Sequence, residues 1–397
     1  MKSGWVTKKL GEVCEVVLGG TPRTSVPEYW GGSVPWLTPG DMGKIQGLYV
    51  DKTSRTLTQK GLENGSSLFP ANSVVLSTRA PIGYVLINSV PMCTNQGCKT
   101  IVPDSAIMPK FLAYNLIGRA IELNELGTGT TFKELATGVL KNIDLPIPPL
   151  AEQKRIVAKI DAAFEKIDAL KANAEKNLAN AKELFQSALD EAMRPKKGWV
   201  EKRLGDVGSC KNGLNFKRES EGEKIDIVGV GDFKKGLVVD DTTELERLTL
   251  QELPEQEWYL HPNDIVFVRS NGSKALVGRA VIIKSKRPLT FSGFCIRYRI
   301  EDKCIDPDYL ARVVSVESFR KAMLSGRNAS TINNVTQPIL LSQVINIPSL
   351  AEQKQIVKRL DSLTKKIQLL EQNYARQMAD CAEMRQAILR EAFEGRL

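Results

Sequence analysis

Histidine is almost missing from this chain: His261 is the only one in 397 residues. A histidine-based metal centre and paired histidine acid–base chemistry are therefore excluded, and His261, beside Pro262 in an expected turn, reads as incidental. Cysteine is sparse and odd in number, seven at irregular spacing. That argues against a disulfide framework and for a reducing cytosol, so the expected location is cytoplasmic. Cys93 and Cys98 are too far apart for a CxxC knuckle and have no second pair, so no metal site is expected. No apolar run is long enough to span a bilayer, and Met1 to Leu10 is polar and basic, unlike a secretory signal. There is no GxxxxGK[ST] phosphate loop and no GxGxxG following a strand. The asparagine-proline-proline-aromatic motif of amino methyltransferases is also lacking. Catalysis and cofactor binding are not expected of this chain.

Proline and glycine are missing too, but only from two long stretches, and those organise the rest. Leu150 to Lys154 reads LAEQK, and Leu350 to Lys354 reads LAEQK again, 200 positions on. Each copy opens a run of more than 40 residues without a helix breaker. Apolar residues recur at Ile160, Ala163, Ile167, Leu170, Ala174, Leu178, Ala181, Phe185 and Ala188. In the second copy they are Leu360, Leu363, Ile367, Leu370, Tyr374, Met378 and Cys381, then Arg385, then Ile388. Steps of three and four keep a stripe on one helix face, the pattern of a coiled-coil seam. Two fours in a row around Ala174 and Tyr374 form a stutter in both copies. Ser349 with Glu352 makes a capping box, and Pro149 sits where a helix can begin.

The globular parts echo each other as well. GWVTKKLGEV from Gly4 returns as GWVEKRLGDV from Gly198; Pro70 to Arg79 answers Pro262 to Arg269; Gly83 answers Gly278. Short β-rich runs are expected at Ser73–Leu76, Val85–Ile87, Ile265–Val268 and Leu276–Ile283, with helices near Pro109–Leu123 and Asp308–Leu324. The predicted fold class is α+β: two similar mixed α/β modules separated by a long antiparallel two-helix coiled coil, a pseudo-twofold internal repeat. The expected segments are 1–150, the first module; 151–197, the first long helix and linker; 198–350, the second module; and 351–397, the second long helix.

Two apparent catalytic signals dissolve on inspection. Gly127-Thr128-Gly129-Thr130-Thr131 could cradle a phosphate, but the second copy reads Arg327-Asn328-Ala329-Ser330-Thr331, which favours a structural turn. Pro103-Asp104 with Glu152-Gln153-Lys154, and Pro307-Asp308 with Glu352-Gln353-Lys354, mimic a PD…ExK nuclease motif. Here the ExK opens a helix, where acidic residues favour the positive dipole end.

What remains is binding chemistry. The net charge of +9 favours a polyanionic partner. Turn regions carry cations among amides and hydroxyls: Thr21, Arg23 and Thr24; Arg79; Asn95, Gln96 and Lys99; Lys217 and Arg218; Arg269, Asn271, Lys274 and Arg279. Arg and Lys suit guanine edges or phosphates, and Asn and Gln pair bidentately with adenine. The seam candidates are Ile160, Ile167, Leu170, Leu178 and Phe185 on the first helix. On the second they are Leu360, Leu363, Ile367, Leu370, Met378 and Ile388.

The chain resembles the specificity subunit of type I restriction-modification enzymes. The resemblance rests on GWVTKKLGEV with GGTP (Gly19–Pro22), on IPPLAEQKRIVAKID and IPSLAEQKQIVKRLD, and on the terminal AFEGRL. It implies two target recognition domains, each reading one half of a bipartite, asymmetric sequence in double-stranded DNA. It implies helices that set the spacer and dock two modification subunits. Those subunits would bring S-adenosylmethionine, and restriction (motor-nuclease) subunits would bring ATP and magnesium chemistry, so this chain itself would hold no cofactor. The competing readings are a coiled-coil adaptor with two protein-binding modules, or the specificity subunit of an orphan, methylation-only system.

Overall fold

The computed structural model describes residues 4–129, 133–217, 219, 221–234, 236–325 and 334–397. They form two compact units. Unit 1 holds the described residues up to Glu175 together with Tyr374–Leu397, and unit 2 is Lys176–Asn373.

The first module contains β1 (Val6–Lys9), α1 (Leu10–Val13), β2 (Cys14–Leu18), β3 (Trp30–Leu37), α2 (Pro39–Met42), β4 (Tyr49–Val50), β5 (Arg55–Leu57), α3 (Gln59–Glu63), β6 (Val74–Thr78), β7 (Ile82–Asn88), β8 (Cys93–Thr94), β9 (Cys98–Pro103), α4 (Pro109–Gly118), α5 (Ala120–Glu125), α6 (Thr137–Lys141) and β10 (Asp144–Ile147), followed by α7 (Leu150–Ala192). The second contains β11 (Val200–Arg203), α8 (Leu204–Val207), β12 (Gly208–Asn212), β13 (Glu223–Val228), β14 (Val238–Val239), β15 (Glu246–Leu250), β16 (Ile265–Val268), β17 (Ala280–Ile283), β18 (Leu289–Phe291), β19 (Cys295–Ile300), α9 (Pro307–Ser315), α10 (Glu317–Leu324), α11 (Gln337–Leu341) and β20 (Val344–Ile347), followed by α12 (Leu350–Phe393).

The strand order repeats element for element. A five-stranded sheet β2-β9-β6-β7-β4, a three-stranded sheet β5-β3-β8 and a ribbon β1-β10 are matched by β12-β19-β16-β17-β14, β15-β13-β18 and β11-β20. Both sheets have apolar central strands because both faces are covered. Val74 and Leu76 of β6 pack with Phe111 and Leu112 of α4, while Val75 faces Leu37, Met42 and Phe69. In β16, Ile265 and Phe267 face Tyr309 and Leu310 of α9, while Val266 and Val268 face Phe233 and Phe291.

Two expected elements differ in detail. The helix near Pro109–Leu123 is two helices, broken at Arg119 (φ −103°, ψ 13°), and its counterpart breaks at Val316 (φ −68°, ψ 137°). The run Leu276–Ile283 forms a strand only from Ala280. Leu276 and Val277 are buried in the preceding turn, so their apolar character reflects core packing, not strand pairing.

Within each unit the two long helices run antiparallel. In unit 1 Asp168 pairs with Arg385, and the Arg155 guanidinium donates to the Leu397 carbonyl (2.7 Å). In unit 2 Lys182 pairs with Glu371 (3.1 Å). Ile160, Ile167 and Leu360 are buried; Leu178, Phe185, Leu363, Ile367, Met378 and Ile388 are half-buried. Leu170 and Leu370 depart from the expected seam: they are 45 % and 36 % exposed, and the covered positions nearby are Ala174, Glu371 and Tyr374. A stutter rotates the stripe, so a position that fits the spacing count swings off the interface. Arg385, the polar interruption, stacks on Phe164 (4.3 Å to the ring centre) and pairs with Asp168, which accounts for a cation beside the seam.

The LAEQK motif has a physical function that its repetition alone did not reveal. Gln153 is fully buried; its Nε2 donates to the carbonyls of Ala106 (2.8 Å) and Pro148 (2.9 Å), and its Oε1 accepts from the Met108 amide (2.8 Å). Gln353 repeats this with Cys304 (2.9 Å), Pro348 (2.8 Å) and the Asp306 amide (2.7 Å). The glutamine thus locks the start of each long helix to the loop that opens α4 or α9. Its neighbours serve the helix end: the Glu352 amide donates to Ser349 Oγ (3.3 Å), and Arg155 pairs with Glu152 (2.6 Å). Among the described residues no group of three His, Cys, Asp or Glu side chains is placed to hold a metal ion.

Candidate nucleic-acid interface

Strand register decides which loops meet. The pairs Leu18↔Lys99, Ser77↔Cys98 and Thr78↔Ile82 bring the ends of β2 and β6 and the starts of β9 and β7 to one end of the sheet. The loops emerging there carry Thr21, Arg23, Thr24, Arg79, Asn95 and Gln96. The pairs Asn212↔Ile296, Val268↔Cys295 and Phe267↔Ala280 do the same in the second module. There the loops carry Lys217, Arg269, Asn271, Lys274 and Arg279. Side chains scattered through the sequence are thus gathered at one sheet end in each unit.

Their environments differ. Thr21, Arg23, Thr24 and Gln96 are exposed, and the Thr21 hydroxyl is bonded to the Gln96 amide, tying two loops together. Asn95 is half-buried and its Oδ1 accepts from the Gly97 amide (3.0 Å), so it shapes the turn. Arg79 is exposed but paired with Glu134 (2.5 Å). That hydrogen bond is the largest cause holding the Glu134 carboxyl below its usual range.

Lys99 departs from expectation. It is 3 % exposed, and its ammonium donates to the Leu135 carbonyl (2.6 Å) and to Thr78 Oγ1 (3.3 Å). Burial lowers its pKa, against the raising effect of Glu134. It pins the 133–135 segment to the sheet and does not face solvent. Sequence reading placed it in a polar turn because Asn95-Gln96-Gly97 precedes it, but the chain has already entered β9 at Cys98.

In the second module the Lys217 side chain is 90 % exposed, with Glu219 at 3.2 Å. Arg269 donates to Asn334 Oδ1 (3.3 Å), Asn271 Oδ1 accepts from the Ser273 amide (2.7 Å), and Arg279 donates to the Ala275 carbonyl (3.1 Å). Lys274 is exposed. Arg218 lies outside the described residues, as do Thr130 and Thr131 of the glycine–threonine run and Arg327 to Thr331. A groove of about 810 Å³ opens beside Asn271, with Phe216, Asp232, Glu246 and the exposed Phe294 on its walls. One cation escaped the sequence reading altogether: Arg55, on β5, stacked on Trp30. No spacing pattern marks such a pair, because the partners come from different strands.

Burial pushes the Cys93 thiol up to about 11 and the Cys98 thiol up to about 12, so neither is a ready thiolate. The His261 backbone amide donates to the Asp264 carboxylate (2.7 Å) within a turn.

A duplicated α+β module, each copy presenting a polar, cation-bearing loop end and each followed by a helix of 43 or 44 residues, defines a protein with two similar binding modules. Residues 2–180 and 196–376 each match the family model of the type I restriction modification DNA specificity domain. The chain belongs to this family of type I restriction-modification specificity subunits, which are not the catalytic ones. It is 30% identical to the MjaIX specificity subunit of Methanocaldococcus jannaschii over 68% of this chain and 67% of that one. With the EcoKI specificity subunit of Escherichia coli (strain K12) it shares 26% identity over 89% and 81%. The fold is that of a chain from a type I R-M system whose structure addresses complex assembly and conformational transition (TM-score 0.75, 20% identity, 100% and 99% covered). It is also that of the HsdS subunit from Thermoanaerobacter tengcongensis (TM-score 0.58, 21% identity, 100% and 98% covered). No described helix is long and apolar enough to cross a membrane.

Proposed function

We propose that each unit reads one half of a bipartite, asymmetric target in double-stranded DNA through the loop end of its sheet. The observation that carries this is that matching strand registers bring exposed cations and amides to the same end of both modules, while the framework beneath is repeated. The long helices set the spacer between the halves and dock two modification subunits. S-adenosylmethionine belongs to those subunits, and ATP and magnesium to restriction subunits; methylation of an adenine in each half and cleavage take place there, in the cytoplasm.

The test uses the full chain, immobilised and incubated with a randomised duplex library at two salt concentrations. Enriched sequences should carry two short fixed blocks separated by an unspecified spacer of constant length. Binding should weaken steeply with salt, with a slope near −0.9 for each phosphate neutralised. One continuous block, or enrichment indifferent to salt, would refute the proposal; the latter result fits the adaptor reading.

A further inference from the structure

Arg55 of β5 lies with its guanidinium carbon 3.6 Å from the centre of the Trp30 ring and 5.4 Å from that of Trp36. The two indoles meet edge to face, 5.0 Å apart. Their own N–H groups point into the candidate interface: Trp30 Nε1 donates to the Arg23 carbonyl (3.3 Å) and Trp36 Nε1 to the Gly20 carbonyl (2.9 Å). The Arg55 backbone is fixed as well, its carbonyl accepting from Thr53 Oγ1 (2.6 Å), which in turn accepts from the Trp36 amide (3.0 Å). Trp36 is buried, Trp30 half-buried and Arg55 exposed. The cation is thus held in a set plane at the surface, against the loop that carries Thr21 and Arg23. No described carboxylate forms an ion pair with it.

The duplicated fold supplies an internal comparison. Trp36 pairs with Arg55 in the register of β3 and β5, and Asp226 pairs with Arg247 in the register of β13 and β15. Trp36 also pairs with Cys93 of β8 as Asp226 pairs with Leu289 of β18, so the two positions correspond on both sides. Where unit 1 has a tryptophan, unit 2 has a buried aspartate. Asp226 binds Arg247 (2.8 Å) and is shared with Arg287 (3.3 Å). The same arginine is thus neutralised from below in one unit and left with unspent donors in the other.

We propose that Arg55 is a base-reading residue of unit 1, presenting its planar fork to the O6 and N7 acceptors of a guanine. A phosphate needs only a positive charge, and a flexible side chain supplies it. Stacking that fixes the plane of the guanidinium matters when two donors must meet two acceptors in one base plane. Arg247, committed to Asp226, has no such role, so the two units read DNA through different strand positions.

This inference rests on the proposed DNA reading, and the test separates the two. The full chain is put through the randomised-duplex selection as parent, Arg55→Lys and Arg247→Lys. Arg55→Lys keeps the charge and loses the fork. It should flatten the preference at one guanine position, lower affinity for the parental site about tenfold, and leave the salt slope unchanged. Arg247→Lys should leave the selected sequence as it is. If Arg55→Lys selects the parental sequence with parental affinity, Arg55 is a phosphate contact or no contact, and this inference falls while the proposed function stands. If the parent itself selects no sequence, the proposed function falls and this inference with it.

Discussion

Replacing Gln153 with leucine should loosen unit 1 at the point where the long helix leaves the module. Leucine has nearly the same volume, so no cavity opens and the cost is polar. The Met108 amide loses its acceptor at 2.8 Å, and the carbonyls of Ala106 and Pro148 each lose a donor, at 2.8 and 2.9 Å, all around a fully buried side chain. An orphaned buried donor costs about 1–3 kcal/mol, and carbonyls with a second lone pair cost less, so a total of ~2–4 kcal/mol is expected. The assay is amide hydrogen exchange of the full chain read by mass spectrometry, because a protein of two units has no single unfolding transition. Exchange across residues 104–118 should speed up roughly 30- to 1,000-fold, if that loss goes into local opening. The segment around Asp306, held by Gln353, should be unaffected, and Gln353→Leu should reverse the pattern. Gln153→Glu adds a signed pH test. Two carbonyls face the new carboxyl, so its folded pKa is raised above the unfolded value of about 4.3. The deficit against the parent is therefore smallest below that pH and grows as pH rises through the raised pKa. Unchanged protection across 104–118 in Gln153→Leu would refute the locking function.

Three further outcomes follow from the same geometry. Arg23→Gln should lower the salt slope of DNA binding by about 1, whereas Lys99→Met, removing a buried cation, should leave it unchanged; equal slopes for both would contradict the burial argument. Leu360→Ala should cost about 2–5 kcal/mol, while Leu170→Ala, at an exposed position, should stay within roughly 0.5 kcal/mol, both read from amide hydrogen exchange of the helix segment around each site. Removing seven residues from the middle of α7 and of α12 should shorten the selected spacer by about 3 base pairs, since seven helical residues span ~10 Å and a base pair rises ~3.4 Å; an unaltered spacer would refute the ruler.

Legibility in the sequence followed periodicity. The long helices were read almost to the residue because a run without proline or glycine and a three–four stripe are local signals that tertiary contacts do not override. The duplication was read from LAEQK and GWV, which are identical strings. Leu170 and Leu370 are exposed, which a count of spacings misses because it cannot tell which neighbour of a stutter turns inward. Lys99 failed for a different reason: polarity in a turn-like string suggests exposure, yet its partners Thr78 and Leu135 are distant in sequence. Arg55 was invisible for the same cause, since Trp30 lies on the neighbouring strand β3, distant in sequence.

The offset between matching residues is not constant, Pro70 answering Pro262 but Gly83 answering Gly278, and the change has a location in the structure. Between β6 and β7 the chain turns through residues 79–81, whereas between β16 and β17 it takes residues 269–279. The second version brings Asn271 and Lys274 to the loop end, where the first has only Arg79. The strands on either side keep their partners and their order, because alternate residues of β6 and β16 face two different cores and a slip of one residue would exchange them. The loops are under no such constraint: their backbone is solvated and their length enters loop closure only weakly. Length and side chains can therefore vary at the sheet end without disturbing the register. The Trp36–Asp226 correspondence shows the same freedom inside a strand, where one register holds an arginine free in one unit and paired in the other. A scaffold fixed by core packing leaves loop length and exposed side chains free to differ between two modules of one fold.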